Sequence, residues 1–218
     1  APLWMRDIQI SPDGTEIAFC YKGDIYKVPA KGGTAIQLTT QESYESTPVW
    51  SPDGKQIAFA SDRYGNFDVF VMPANGGTAQ RLTTHSAGEI PSAFTPDGKY
   101  ILFSAAIQDP AESALFPRSA MTELYKVSVT GRTEQVLGTP AEAVCFDKSG
   151  ELFFYQDQKG FEDQWRKHHT SSVTRDIWMY DARTGKHANL TQRAGEDRNP
   201  VLSPDGQELY FLSERDGG

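Results

Sequence analysis

The chain has 218 residues, a net charge of −8 and a sequence pI of about 5.0, and it contains no run of basic residues. This balance argues against a nucleic-acid partner, because phosphate binding depends on clustered lysine and arginine. No apolar stretch approaches the roughly 18 residues that a membrane-spanning helix needs, whereas 38% hydrophobic and 11% aromatic residues are enough for the core of one all-β domain.

A tight-turn tetrapeptide occurs five times, each time between two short apolar runs. It begins at Ser11, Ser51, Thr95 and Ser203, and a divergent copy reads Asp147-Lys148-Ser149-Gly150. Proline sets φ at the first corner of such a turn, aspartate bonds the nearby backbone, and glycine accepts the positive φ that closes a hairpin. The residues to which we assign this structural role are Asp13, Gly14, Asp53, Gly54, Asp97, Gly98, Asp205 and Gly206.

Each full repeat contains four short strands. In the second repeat the first strand ends at Trp50 and the second runs from Ile57 to Ala60. The third runs from Phe67 to Met72 and the fourth from Ala79 to Thr83. Successive turn aspartates are 40 and 44 residues apart at first, and the later repeats are longer. A period of about 40 to 45 residues with four strands is typical of a β-propeller blade.

We therefore predict an all-β fold, a β-propeller of four-stranded antiparallel blades, in a single domain spanning residues 1–218. The predicted blades cover residues 1–40, 41–84, 85–137, 138–192 and 193–218. The last range has room for only two strands, so we expect an incomplete ring of four blades and the start of a fifth, belonging to a larger protein. Open blade edges in such a fragment favour self-association.

Two insertions interrupt the repeat, at residues 106–122 and 160–176. We predict that the first insertion forms a long loop, and we assign it no function. The second is rich in side chains suited to binding, and its candidate residues for contact with a substrate or partner are Trp165, Arg166, Lys167, His168, His169 and Arg175. A structural role, in which Trp165 and Arg166 pack against a neighbouring blade or domain, is favoured over direct contact with a ligand. Adjacent histidines on an extended chain point to opposite faces, so we expect no metal site, and nothing indicates a cofactor.

Catalytic motifs are absent from the sequence. It contains no G-x-S-x-G, P-loop, H-E-x-x-H or C-x-x-C pattern, and we assign no catalytic residue. The pair Asp62-Arg63 recurs as Glu214-Arg215 at the same position of the repeat, which favours a turn-stabilising role over a catalytic one. Cys20 and Cys145 are expected to be buried free thiols.

The second repeat resembles the TolB-type β-propeller repeat. Trp50 to Gly65, Asp68 to Met72 and Leu82-Thr83 follow that pattern almost residue for residue. The resemblance extends over essentially the whole chain and is weakest in the fourth repeat. It indicates a fold and not a function, because one fold supports many activities.

The fourth repeat carries a second resemblance, in Trp165 to Trp178 and in Glu196-Asp197-Arg198-Asn199-Pro200. These segments are similar to the N-terminal propeller of bacterial tricorn-like serine peptidases. That resemblance implies a parent protein that hydrolyses peptides and in which a PDZ domain and a catalytic region follow the propeller.

It further implies that this chain is non-catalytic and docks or gates peptide or unfolded protein substrates. Bacterial relatives are commonly exported, so a periplasmic or secreted location is implied, with the cytoplasm as the alternative. A TolB-like module that binds proteins of the cell envelope, without peptidase activity, remains open. A propeller hydrolase or lyase with its site on the axis has little support.

Overall fold

The computed structural model describes residues 4–107, 122–159 and 173–215, and within these ranges the chain forms eighteen β-strands and no helix. The first sheet contains β1 (Arg6–Ile10), β2 (Glu16–Tyr21), β3 (Asp24–Pro29) and β4 (Ile36–Gln37). The second contains β5 (Glu45–Trp50), β6 (Gln56–Ser61), β7 (Asp68–Pro73) and β8 (Gln80–Arg81). The third contains β9 (Glu89–Phe94), β10 (Tyr100–Ala105), β11 (Glu123–Ser128) and β12 (Thr133–Leu137).

The fourth sheet contains β13 (Glu142–Phe146), β14 (Leu152–Gln156), β15 (Ile177–Asp181) and β16 (Lys186–Asn189), and β17 (Asp197–Leu202) pairs with β18 (Leu209–Ser213). Each four-stranded sheet is a meander in which every strand hydrogen-bonds to the strands that precede and follow it. The pairing is antiparallel, as short turns between successive strands require. This is the strand order expected of a propeller blade.

The repeated tetrapeptides join the first two strands of each sheet. In the first copy the Ser11 hydroxyl and the Thr15 amide both donate hydrogen bonds to Asp13 Oδ1, at 2.6 and 3.0 Å. The Glu16 amide donates to the Ser11 hydroxyl, and Gly14 has a φ of 72°. Hydrogen bonds from Ser11 and then Thr15 lower the pKa of Asp13 to about 2. The aspartate therefore organises the corner as an anion.

The chain forms two compact units, residues 1–105 with 125–134 and residues 106–124 with 135–218. In the first unit the strands β1, β5 and β9 are neighbours, and large side chains from the first two sheets form a core that includes Ile25, Trp50, Ile57, Phe59 and Phe70. In the second unit β13 lies next to β17, and Phe153, Tyr155 and Ile177 are buried. The interpretation of residues 1–218 as a single domain stays a prediction.

Both cysteines are unpaired, as the sequence predicts, but only Cys20 is fully buried and Cys145 is half-buried. Desolvation raises the pKa of both thiols, that of Cys145 to about 11. Neither thiol is therefore activated as a nucleophile.

Candidate functional site

The two ends of each sheet differ in what they carry. One end has the tight turns between the first and second strands and between the third and fourth. The other has the connection from the second to the third strand and the link to the next sheet. We call this second end the insertion end, because residues 106–122 and 160–176 belong to second-to-third connections, in the third and fourth sheets.

Of the predicted contact residues, Arg175 is described, whereas Trp165, Arg166, Lys167, His168 and His169 lie outside the described residues. The Arg175 side chain is only 17% exposed. Its Nη1 atom donates to Glu196 Oε1 at 2.5 Å, and its Nε atom lies 3.9 Å from Glu142 Oε2. The Arg175 carbonyl accepts a hydrogen bond from the Asp197 amide. Arg175 therefore fastens the end of the second insertion to the starts of β13 and β17.

Paired aspartates close the base of the second insertion. The Asp157 amide donates to the Asp176 carbonyl, and the Asp176 amide donates to Asp157 Oδ1 at 2.8 Å. Trp178 Nε1 donates to Asp157 Oδ2 at 3.0 Å, and Lys159 Nζ lies 2.6 Å from Asp176 Oδ2. These bonds join the residue after β14 to the residue before β15.

A polar bridge connects the first insertion to the second. The Thr122 hydroxyl donates to Glu142 Oε1 at 3.1 Å and lies 3.3 Å from Gln158 Oε1. Gln156 donates to the other Glu142 oxygen and accepts from the Asn199 amide. The last residue of the first insertion therefore contacts Gln158, two residues before the second insertion, at the insertion end of the fourth sheet. Sequence reasoning missed this bridge, because nothing in a single sequence indicates which loop ends meet.

A second polar arrangement recurs at the insertion end of three sheets. An aspartate stands at the start of the third strand or just before it, and its Oδ2 atom lies 2.8 to 3.0 Å from a side-chain nitrogen of the fourth strand. The pairs are Asp24 with Gln37, Asp68 with Arg81, and Asp176 with Asn189. A threonine hydroxyl then accepts the next backbone N–H: Thr39 from Ile25, Thr83 from Val69, and Thr191 from Ile177. These aspartates and threonines therefore stabilise the sheet end.

The repeated acid-arginine pairs are also architectural. Arg63 contacts the buried carboxylate of Glu45 at 3.1 Å, and Ser61 donates to the same oxygen at 2.8 Å. Asp62 Oδ1 accepts from the Tyr44 amide, which anchors the preceding link. In the fifth sheet Arg215 lies 3.7 Å from the buried Asp197. The arginines thus compensate carboxylates at the start of a first strand.

In the described ranges, no three His, Cys, Asp or Glu side chains come together in a way that could hold a metal ion. The same part of the chain has no helix of the length and apolarity required to cross a membrane.

Comparison with known proteins places this geometry in context. The family model of the tricorn protease N-terminal β-propeller domain matches residues 3–218. A curated relative, the uncharacterized peptidase YuxL of Bacillus subtilis (strain 168), is 28% identical over 225 residues. The match covers 97% of this chain and only 30% of YuxL.

Solved structures agree on the fold. A TolB-named protein of Agrobacterium tumefaciens superimposes with a TM-score of 0.71 and 25% identity, over 95% of this chain and 73% of that one. The tricorn protease gives a TM-score of 0.77 with 22% identity, over the whole of this chain and 21% of that one. TolB of Acinetobacter baumannii gives 0.66 with 18% identity, over 98% and 55% of the two chains. These matches confirm the predicted propeller-type fold of four-stranded antiparallel sheets.

Proposed function

The chain belongs to the family of tricorn protease N-terminal β-propeller domains, and from that premise we propose that it is a non-catalytic domain of a tricorn-like serine peptidase. In this role it docks or gates peptide or unfolded protein substrates for a catalytic region outside residues 1–218. A PDZ domain and that catalytic region are its proposed partners within the parent protein. Support for a peptidase comes from the family and from the peptidase-named relative.

The observation that carries the docking role is the contact between Thr122, the last residue of the first insertion, and Gln158, two residues before the second. Thr122, Glu142 and Gln158 join their ends, and Arg175 and Asp176 fasten the second insertion to the fourth sheet. A binding loop is most effective when a rigid scaffold fixes its ends, because less conformational entropy is lost when the ligand binds. We propose that Trp165, Arg166, Lys167, His168 and His169 contact the substrate from this base.

The proposal is tested in the full-length peptidase with the paired substitutions Trp165→Ala and Arg166→Ala. We expect kcat/KM for unfolded casein to fall by about tenfold or more, while hydrolysis of a short fluorogenic peptide changes little. Lys31→Ala, in the turn between β3 and β4 at the opposite end of its sheet, is the matched control and leaves both activities unchanged. Equal loss on both substrates would refute selective docking. Turnover by residues 1–218 alone would refute a non-catalytic domain.

A second candidate is a TolB-like module that binds proteins of the cell envelope. It is favoured by the TolB-named structure of Agrobacterium tumefaciens, which this chain matches over most of both lengths. Under this proposal the full-length protein hydrolyses neither casein nor peptides and instead binds a folded partner. Both candidates agree with a proposed periplasmic or secreted location, which fractionation of the source cell tests, with the cytoplasm as the alternative result.

We also propose that residues 1–218 self-associate in isolation. Trp4, Ile8 and Ile10, around β1, are more than half exposed, and so are Val201, Tyr210 and Leu212 in β17 and β18. Exposed apolar surface of this kind favours association in water. Light scattering is expected to show a mass above 24.2 kDa that falls on dilution, and a monodisperse monomer would contradict the proposal.

A further inference from the structure

Three first strands begin with a buried carboxylate, and one of them lacks the usual donors. Glu45 is paired with Ser61 across the sheet and contacts Arg63 two residues further on. Asp197 is paired with Ser213 and is near Arg215 in the same way. Glu89 is paired with Ala105, and Ile107 occupies the position of the arginine. The third sheet therefore keeps the acid but has lost its serine and its arginine.

The first and fourth sheets lack the acid itself. By the same register, Met5 and Ala141 stand at the position of Glu45, so these two sheets have no carboxylate there to compensate. Among the described residues, Glu89 is thus the exception to the pattern. It is also 1% exposed, so water cannot replace the missing donors.

A second buried carboxylate lies near Glu89. The Glu89 amide donates to the carbonyl of Phe67, the residue before Asp68, and Asp68, at the start of β7, is 0% exposed. Apart from the ion pair of Arg81 with Asp68 at 2.8 Å, no described donor reaches either Asp68 oxygen or Glu89 Oε2. One guanidinium therefore serves two buried acids.

The other groups around the pair do not supply a second cation. Thr83, after β8, is uncharged, and its hydroxyl accepts the Val69 amide. Arg63, in the connection after β6, is committed to Glu45. His85, in the link before β9, is exposed, and its ring accepts a bond from the Ala87 amide. Burial first, and then the charge of Asp68, raise the pKa of Glu89 to about 7, against the opposing effects of Thr83 and Arg81.

We propose that Glu89 is buried as a neutral acid beside Asp68, and that losing its proton weakens the contact between the second and third sheets. Without the proton, two buried carboxylates lie at this contact, and Arg81, which pairs with Asp68, is the described cation beside them. The affected place borders the first insertion, because Glu89 pairs with Ala105 and the insertion begins at the next residue. The pair is thus a pH-sensitive latch at the insertion end, independent of the proposed peptidase role.

The sign of the effect follows from the protons that each state binds. An unfolded glutamate ionises near pH 4.5, whereas the folded protein keeps the proton to about pH 7. Between these values the folded state binds more protons, so stability falls as pH rises. The contribution of Glu89 to the unfolding equilibrium constant should rise by up to about tenfold per pH unit in this window. Below and above the window it is constant.

Glu89→Gln tests the latch, since glutamine keeps the shape and a donor but cannot ionise. The ratio of the wild-type unfolding constant to that of Glu89→Gln should increase between pH 5 and pH 7 and then level off. Glu45→Gln is the matched control: it removes the anion that pairs with Arg63, so it should destabilise the protein at pH 8, where Glu89→Gln stabilises it. A ratio for Glu89→Gln that stays within about twofold from pH 5 to pH 8 overturns the proposal.

Two measurements do not depend on that variant folding. Carbon-13 NMR of the Glu89 carboxyl in the wild-type protein should show a midpoint near pH 7, and a midpoint near 4.5 overturns the proposal. Ala105→Ser combined with Ile107→Arg restores the donors found in the second sheet. This double variant should move the midpoint down by at least one pH unit, and an unchanged midpoint refutes the missing-donor explanation.

Discussion

Replacing Arg175 by glutamine separates a positioning role from direct substrate contact. The substitution removes the cation that lies between Glu196 and Glu142 while keeping a polar side chain of similar length. If Arg175 holds the insertion in place, the change lowers the stability of the free protein. If Arg175 acts only by touching a ligand, stability stays the same and only binding suffers.

The size of the effect follows from the burial of the three side chains, which are 16% to 20% exposed. An exposed ion pair contributes about 0 to 1 kcal/mol, whereas breaking a fully buried one costs about 3 to 5 kcal/mol. The Arg175 cluster lies between these limits, so we expect a loss of about 2 kcal/mol. In a chain of this length that corresponds to a fall in Tm of about 4 to 8 °C.

Thermal unfolding measured by circular dichroism is a suitable assay, and Arg183→Gln is the matched control. Arg183 also faces two carboxylates, Glu151 and Asp181, but its side chain is 64% exposed. We expect its replacement to lower Tm less than the Arg175 variant does, by about 0 to 4 °C. Equal shifts for the two variants would refute the reasoning from burial. A double-mutant cycle with Glu196→Gln should give a coupling of about 1 kcal/mol or more.

Three further predictions follow from the same geometry. Gln158→Ala should speed hydrogen exchange of the Thr122 amide, because Gln158 Oε1 joins the two insertions there, and unchanged exchange would contradict the bridge. Thr191→Val should cost about 1 to 3 kcal/mol in urea unfolding, since the buried Ile177 N–H loses its acceptor, and a cost below about 0.5 kcal/mol would count against it. The pKa of Asp13 is lowered from 3.8 to about 2, because the folded turn favours its anion. The anion therefore stabilises the folded state above pH 3.8, and this contribution is lost as the pH falls towards 2. The urea midpoints of wild-type and Asp13→Asn protein should therefore converge between pH 5 and pH 2, and a constant difference would argue against the turn anion.

Local sequence signals were sufficient for the fold. The turn tetrapeptides predict hairpins because proline, aspartate and glycine each restrict the backbone within four residues, and the aspartate bonds at Asp13 are of this local kind. The polar bridge at Thr122 and Gln158 was beyond reach, because its partners are 36 residues apart and meet only after the sheets have formed. The role of Arg175 could not be predicted for the same reason. The sequence shows only that an insertion contains a cation, whereas the contact of Arg175 with Glu196 exists only in the folded protein.

Within the described residues, the two sheets with insertions lack the contact between a buried carboxylate and an arginine that the second sheet has. In the second sheet a short turn after Ser61 brings Arg63 back over Glu45, with the Gly65 amide bonded to the Asp62 carbonyl. In the third and fourth sheets Ile107 and Lys159 stand in the place of Arg63. In the fourth sheet Lys159 occupies that place and contacts Asp176, and the acid position is taken by Ala141. In the third sheet the acid remains as Glu89, which then needs a proton to be buried beside Asp68. The fourth sheet thus lacks the carboxylate, whereas the third keeps it as Glu89.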